Sequence, residues 1–328
     1  GLLWPAEEVI EMLEINHVSV KFSADSDVQA VEDVSLVLPE GSKLALVGET
    51  GSGKSVLLLA ILRLLPETAQ TRGDVLLDGK SIWQMKRKEL DKIRGAVISY
   101  VPQGGGEALN PLMRVGFQVG EPLMEHKGLS RKEAEAKSVS LLKKFHLGDE
   151  EALARAYPHT FSGGMRQRAM VAMGIAADPQ IVLADEPSKG LDEKRVALVA
   201  ETFQQLGEKS LLCVTHDLLF AGKISDHICV LYAAQQVEYG PTEKLMSAPL
   251  HPYTRDMLRA IPENGMEVDK AGFAPAHTGY ENFGCRYRHR CKDCMEVCKK
   301  MPPLFTVGDE KVRCWLYADA SGTADKDL

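Results

Sequence analysis

Apolar and polar residues alternate along 11–22 and again along 30–47, both rich in Val and Leu, and this period of two predicts strands. Val47 then opens onto a glycine-rich turn, and 55–65 reads as a mostly apolar, buried helix that Pro66 ends. Residues 74–77 and 96–101 are predicted as further strands. Over 112–157 strand signals vanish and charges recur at helical spacing, most clearly in 130–145, so about 104–175 reads as an inserted helical subdomain. Residues 181–184 and 211–214 are short apolar runs ending in polar residues, which suits parallel strands buried on both faces. Residues 228–232 and 236–239 continue the sheet, and Gly240-Pro241 marks a turn. After Pro262 the composition shifts to Gly, Pro and Cys. The expected organisation is therefore a main domain over 10–262, a Cys-rich extension over 263–317 and a disordered tail over 318–328.

Composition narrows the class. The 328 residues suffice for about two domains. Hydrophobic residues make up 45% and charged residues 26%, ordinary globular values that exclude a disordered or collagen-like chain. With 39 Lys+Arg against 46 Asp+Glu, the net charge of −7 argues against a protein that coats nucleic acid. No stretch reaches the roughly 18–20 apolar residues of a bilayer span: 56–62 stops at Arg63, and 169–177 contains a Gly and small residues. The start, Gly1-Leu2-Leu3-Trp4-Pro5, lacks a basic segment and a signal-peptide core, and a first residue other than Met reads as a processed or trimmed start. A cytoplasmic protein is expected.

Three segments carry chemistry. Gly48-Glu49-Thr50-Gly51-Ser52-Gly53-Lys54-Ser55 fits the phosphate-loop pattern, after a strand and before a helix as that pattern requires. Gly48, Gly51, Ser52 and Gly53 let successive amides turn inward around an anion. Lys54 would reach the β- and γ-phosphates of a nucleotide, and Ser55 would hold Mg²⁺. Residues 181–186 form an apolar strand ending in Asp185 and Glu186. Asp185 would complete the Mg²⁺ shell and Glu186 would accept a proton from the attacking water. Between them, Ser162-Gly163-Gly164 starts a helix with open amides and the helix dipole behind them, a second phosphate-binding geometry or simply a Ser cap.

This ordered set resembles the nucleotide-binding subunit of ATP-binding cassette (ABC) transporters, from about residue 10 to 317. The resemblance implies an α/β fold, a P-loop NTPase of ABC type with an inserted helical subdomain and a small Cys-rich C-terminal extension. It makes Ser162, Gly163 and Gly164 the signature that meets ATP held by an opposite subunit. Gln103 becomes the glutamine that touches Mg²⁺, Asp192 the aspartate of the loop Ser188-Lys189-Gly190-Leu191-Asp192, and His216 the γ-phosphate sensor. Phe22 becomes the aromatic that stacks on adenine. Ala108-Leu109-Asn110-Pro111-Leu112, Tyr157-Pro158-His159 and His251-Pro252-Tyr253-Thr254-Arg255 are similar to the oligopeptide, dipeptide and nickel importer branch. The last stretch serves as a family marker, with no chemical reason visible in the sequence. The chain departs from that branch at Gly104-Gly105-Gly106, in the run Glu186-Pro187-Ser188-Lys189-Gly190, and in the lead-in over 265–283.

Of seven cysteines, Cys213 and Cys229 sit in apolar runs and read as small buried hydrophobes. Cys285, Cys291, Cys298 and Cys314, with Cys294 as an extra, form a cluster that suggests metal rather than disulfides in a cytosolic chain. Only Cys291 and Cys294 have a zinc-like close spacing, whereas a [4Fe–4S] cluster tolerates irregular intervals. Members of the importer branch carry such a cluster, so iron–sulfur is preferred, with zinc and free thiols as alternatives. Arg286, Arg288, Arg290 and Lys292 would offset its charge.

The expected function is an ATP-hydrolysing subunit that powers import of a peptide, nickel or related small solute. Its partners would be a second ABC ATPase, identical or homologous, two membrane permease subunits and, indirectly, an extracytoplasmic substrate-binding protein. No nucleic-acid partner is expected. The chain would lie peripherally on the cytoplasmic face of the membrane. The rival is an ABC ATPase acting on a soluble enzyme complex. A chromosome or DNA-repair ATPase would place a long coiled coil between Ser55 and Ser162, and this interval is too short for one.

Overall fold

The protein is described here from a computed structural model covering residues 11–22, 28–104, 108–261 and 283–319. β1 (Glu11–Phe22), β2 (Val28–Pro39) and β3 (Lys43–Val47) lead into α1 (Lys54–Ile61), then β4 (Ala69–Leu77), β5 (Lys80–Ser81), α2 (Arg87–Ile93) and β6 (Ile98–Val101). Next come α3 (Val115–Lys127), α4 (Arg131–Lys144), α5 (Glu150–Arg155) and α6 (Gly163–Ile175), followed by β7 (Ile181–Asp185), α7 (Glu193–Gln204) and β8 (Ser210–Thr215). α8 (Leu218–Ile224), β9 (His227–Tyr232), β10 (Gln235–Pro241), α9 (Thr242–Ser247), α10 (Pro252–Arg259), β11 (Phe305–Val307) and β12 (Glu310–Val312) complete the chain. Two compact units result: Gly1–Pro39, Leu44–Trp83 and His216–Leu328 form the first, Glu40–Lys43 and Gln84–Thr215 the second. The predicted tail falls outside the described residues from 320 onward, as do Gly105, Gly106 and nearly all of the 265–283 lead-in.

In the first unit β1 lies antiparallel between β2 and β4, with Ile15 opposite Leu36 on one side and Val75 on the other. Residues 44–47 of β3 run parallel to β9, from Leu44 opposite His227 to Val47 opposite Val230. The strand pattern read over 30–47 falls into two strands. Pro39 ends β2, and Gly41 turns the chain with φ 71°, a left-handed value that glycine adopts without steric cost. The helix expected over 55–65 also stops early, before Pro66. Arg63 takes φ 52°, its amide bonds the Ala60 carbonyl and the Leu64 amide bonds the Leu59 carbonyl. That pair of bonds is a Schellman stop, here built on Arg rather than Gly. Val47, Val230, Tyr232, Leu245, Tyr253 and Tyr287 share one buried cluster.

The His251–Arg255 family marker acquires a physical reason in this unit. His251 Nδ1 accepts the Tyr253 amide at 3.1 Å and caps α10, and Pro252 occupies the first turn, where no amide is needed. The Arg255 guanidinium donates to the Pro249 carbonyl (3.0 Å) and the Tyr317 hydroxyl (2.9 Å). Beneath them Glu238, fully buried, accepts the Leu250 and His251 amides at 2.6 and 3.0 Å. Burial pushes its carboxyl up to about 7, against the amides that favour the carboxylate. Because the folded value exceeds the ordinary one of 4.5, the native state holds this proton more tightly, and stability falls as pH rises from about 4.5 to 7. Glu238→Gln removes that titration. Urea unfolding should therefore show the variant gaining about 2 kcal/mol on the wild type between pH 5 and pH 8. A constant difference across that range would refute the shift.

In the second unit β6, β7 and β8 run parallel, with Val101 opposite Ala184 and Asp185 opposite Val214. Every residue of β7 and β8 is buried, as expected for strands covered on both faces. α4 starts at the Ser130 capping box, whose hydroxyl and Glu133 carboxylate satisfy each other's backbone amides. Leu123, Ala134 and Ala176 bring α3 and α4 onto the end of α6. A Cβ on Gly116 would sit 2.7 Å from the Ala154 carbonyl oxygen, so glycine there lets α3 lie close against α5. Among the described residues no helix is long and apolar enough to cross a membrane.

Candidate functional site

In the first unit β3 ends at Val47 and the chain wraps round to the start of α1. A Cβ on Gly48 would overlap the Leu231 carbonyl, and one on Gly53, at φ 99°, would overlap the Ala30 carbonyl. Gly51 also stands at positive φ, 86°. These positions need glycine, and the result is a concave backbone facing the N-terminus of α1, where amides and helix dipole favour an anion. Lys54 is 5% exposed, and its ammonium donates to the Gly48 and Glu49 carbonyls at 2.7 and 2.9 Å. The buried Ser52 hydroxyl has no hydrogen-bond partner among the described residues. Ser55 is half-buried on the first turn of α1. His216, exposed at the start of this unit's last segment, and Glu49 line one open groove of about 580 Å³ together with Tyr253 and Arg290. Phe22, at the end of β1, is partly exposed.

The second unit carries the other predicted residues. Asp185 is 3% exposed at the end of β7, and the Tyr100 hydroxyl donates to it at 3.1 Å. Burial first, then Asp185, push the Tyr100 hydroxyl pKa well up, so Tyr100 stays a donor that fixes the carboxylate. Glu186 follows with φ 47°, and its amide donates to the Val214 carbonyl at 2.8 Å. A left-handed conformation at a non-glycine residue costs roughly 1–2 kcal/mol and swings the carboxylate out of the strand's alternation. Ser162 caps α6, its hydroxyl accepting the Met165 amide at 3.3 Å. Gly163 faces open space, while a Cβ on Gly164 would press on the Arg195 side chain. Arg195 in turn pairs with Asp192 at 3.1 Å, and Asp192 caps α7. Thus Ser162-Gly163-Gly164 and Asp192 are brought together through Arg195, which the sequence reading did not single out. Gln103 is exposed in the turn after β6.

Known proteins match both the loop chemistry and the chain order. The family described as ABC transporter matches residues 31–189, and the oligopeptide/dipeptide transporter C-terminal region matches 237–298. The chain is 36% identical over 317 residues to the dipeptide transport ATP-binding protein DppD of Bacillus subtilis, covering 93% of this chain and 95% of that protein. It is 36% identical over 309 residues to the oligopeptide transport ATP-binding protein OppD of Salmonella typhimurium, covering 92% of each. The chain is an ABC transporter ATPase. It belongs to the oligopeptide/dipeptide branch and powers import. The solved bacterial ABC transporter cassette MJ0796, a dimeric structure, shares its fold at TM-score 0.64 and 28% identity, over 70% of this chain and 99% of that one.

The cysteines of this ABC ATPase divide as their surroundings dictate. Cys213 and Cys229 are fully buried strand residues whose thiols burial pushes far up. Cys285, Cys291, Cys298 and Cys314 line one small cavity with His251, Tyr287 and Trp315. Burial first, then neighbouring thiols, push Cys285 up to about 11, and burial first, then Asp293, push Cys291 up to about 12. None of the seven cysteines forms a disulfide. Among the described residues no group of three or more His, Cys, Asp and Glu is placed to hold a metal ion. The expected ring of basic charge around the cluster needs correction. Arg286 is paired with Glu32 and the Ala233 carbonyl, and Arg290 with Glu49, so two of the four cations answer other carboxylates.

Proposed function

We propose that this subunit works as one half of a two-ATPase engine, docked on two permease subunits at the cytoplasmic face of the membrane, and that its cargo is a peptide. The observation that carries the cargo is the 36% identity, over more than nine-tenths of the chain, to proteins named for dipeptide and oligopeptide transport. The paired ATPase is supported by the dimeric cassette of the same fold and by a signature, Ser162-Gly163-Gly164, kept beside Asp192. In this reading the amides of Gly48, Gly51, Ser52 and Gly53 cradle the phosphates and Lys54 neutralises them. Ser55, Asp185 and Gln103 hold Mg²⁺, which when bound spreads the charge that develops on the phosphoryl oxygens. Tyr100 keeps Asp185 oriented. Glu186 takes the proton of the attacking water, and His216 senses the γ-phosphate. Ser162, Gly163, Gly164 and Asp192 serve the ATP of the partner ATPase, and Phe22 stacks on adenine. The glycine cradle and the unpartnered Ser52 hydroxyl both suit a phosphate ligand. A substrate-binding protein would deliver the cargo outside. Cells lacking the chain should lose uptake of a labelled tripeptide and regain it with the wild type but not with Glu186→Gln. Unimpaired uptake would overturn the peptide cargo.

The four-cysteine cavity is read as the seat of a [4Fe–4S] cluster held by Cys285, Cys291, Cys298 and Cys314. The support for this reading is that all four thiols line one cavity. The Met295 amide, 3.4 Å from the Cys298 sulfur, would stabilise a thiolate there. Protein made without oxygen should be brown and Cys291→Ser should bleach it. A colourless, iron-free anaerobic preparation would sink the assignment.

A further inference from the structure

The turn between Cys285 and Cys291 does more than present thiols. Its bonds are local: the Arg288 amide to the Cys285 carbonyl, and the Arg290 and Cys291 amides to the Tyr287 carbonyl. Cys285 and Cys291 line the cysteine cavity, whereas Arg290 leaves the other side and meets the phosphate loop. Its guanidinium donates to both oxygens of Glu49, at 2.9 and 3.2 Å, and its side chain is only 15% exposed. It also lies over the rings of Tyr232 and Tyr287, 5.7 and 5.4 Å from their centroids. Burial lowers the guanidinium pKa, but Tyr232 and Glu49 more than offset this, so the charge is permanent.

Glu49 is thereby held on every polar group it owns. Arg290 takes its carboxylate, and the Tyr253 hydroxyl accepts its amide at 3.0 Å. Its carbonyl accepts from Lys54 and from the Ser52 amide. Tyr253 packs on Tyr232 and Tyr287, with centroids 4.6 and 5.4 Å away. A residue inside the phosphate loop is therefore fixed by side chains some two hundred residues later in the chain, and the same carbonyl that Arg290 helps to place receives Lys54.

We propose that Arg290 is a positioning residue for nucleotide binding, which holds Glu49 so that the Gly48–Lys54 loop keeps its phosphate-binding shape and the cysteine turn is coupled to ATP affinity. The carboxylate of Glu49 supplies the handle. Two mechanisms then predict opposite signs. If Glu49 and Arg290 acted only as point charges on ATP, Glu49→Gln would strengthen binding, Arg290→Ala would weaken it, and the double variant would return near the wild type. If Arg290 acts through Glu49, each single variant weakens binding by about tenfold, and the double variant is no weaker than either.

The experiment is a titration of the folded full chain with a fluorescent ATP analogue and Mg²⁺, with thermal melting run beside it. Arg288→Ala, on the same turn but bonded to the Phe283 carbonyl, should retain wild-type affinity. Unchanged affinity in Arg290→Ala or Glu49→Gln overturns the proposal, as does tighter binding in Glu49→Gln or an equal loss in Arg288→Ala. If Arg290→Ala fails to fold, the sign of the near-isosteric Glu49→Gln change decides alone. The inference rests on the phosphate loop binding ATP, which the wild-type titration tests separately. No wild-type binding would sink that reading, whereas binding indifferent to Arg290 and Glu49 sinks only this one.

Discussion

Glu186→Gln should slow ATP hydrolysis by about 10²–10⁴-fold while leaving ATP binding intact. The argument is local. Glu186 follows β7 directly after the Mg²⁺ candidate Asp185, and its positive φ re-aims the carboxylate relative to the strand. Gln keeps the size, the backbone and one acceptor oxygen, and loses only the capacity to take a proton from water. The substrate is then bound and not consumed, so the ATP-bound pair of subunits should accumulate. Phosphate release measures the first effect, and gel filtration with Mg²⁺ and ATP the second, as a shift to the dimer. Undiminished turnover would remove Glu186 from the role of base.

Lys54→Ala should have the opposite profile, with nucleotide affinity down by about a hundredfold or more. Lys54 is the charged group at the mouth of α1 and is directed by two carbonyls of its own loop. Alanine deletes a charge-assisted contact to phosphate and removes the ammonium that the Gly48 and Glu49 carbonyls accept from. Fluorescent-nucleotide titration should show binding lost in Lys54→Ala and kept in Glu186→Gln. Equal affinities in the two variants would contradict the division between binding and chemistry.

What was legible in the sequence was whatever depends on local pattern. The parallel strands β7 and β8 announced themselves as apolar runs because both faces are covered. The phosphate loop was legible because no other residue fits at Gly48 or Gly53. The position of the break between β2 and β3 was not legible, since Val and Leu continue on both sides and only Pro39 and Gly41 mark it. The β11–β12 hairpin was missed although Gly308-Asp309 stands between two short alternating runs, because the cysteines drew the reading toward loops. The roles of Arg290, Tyr253 and Arg195 were beyond local reading. Each meets a partner that the fold, not the sequence spacing, supplies: Glu49 for the first two, and Gly164 for the third. The His251–Arg255 stretch lies between these cases, visible as a marker yet explained only once α10 is seen capped and tied to Glu238 and Tyr317.

The central claim is that this ATPase drives a membrane importer. Tagged protein purified without oxygen from detergent-solubilised membranes of its own cells, followed by identification of what accompanies it, tests that claim directly. Multi-span permease chains and a second ABC ATPase subunit are the predicted companions. A soluble enzyme complex in their place, with no membrane chain, would contradict the account.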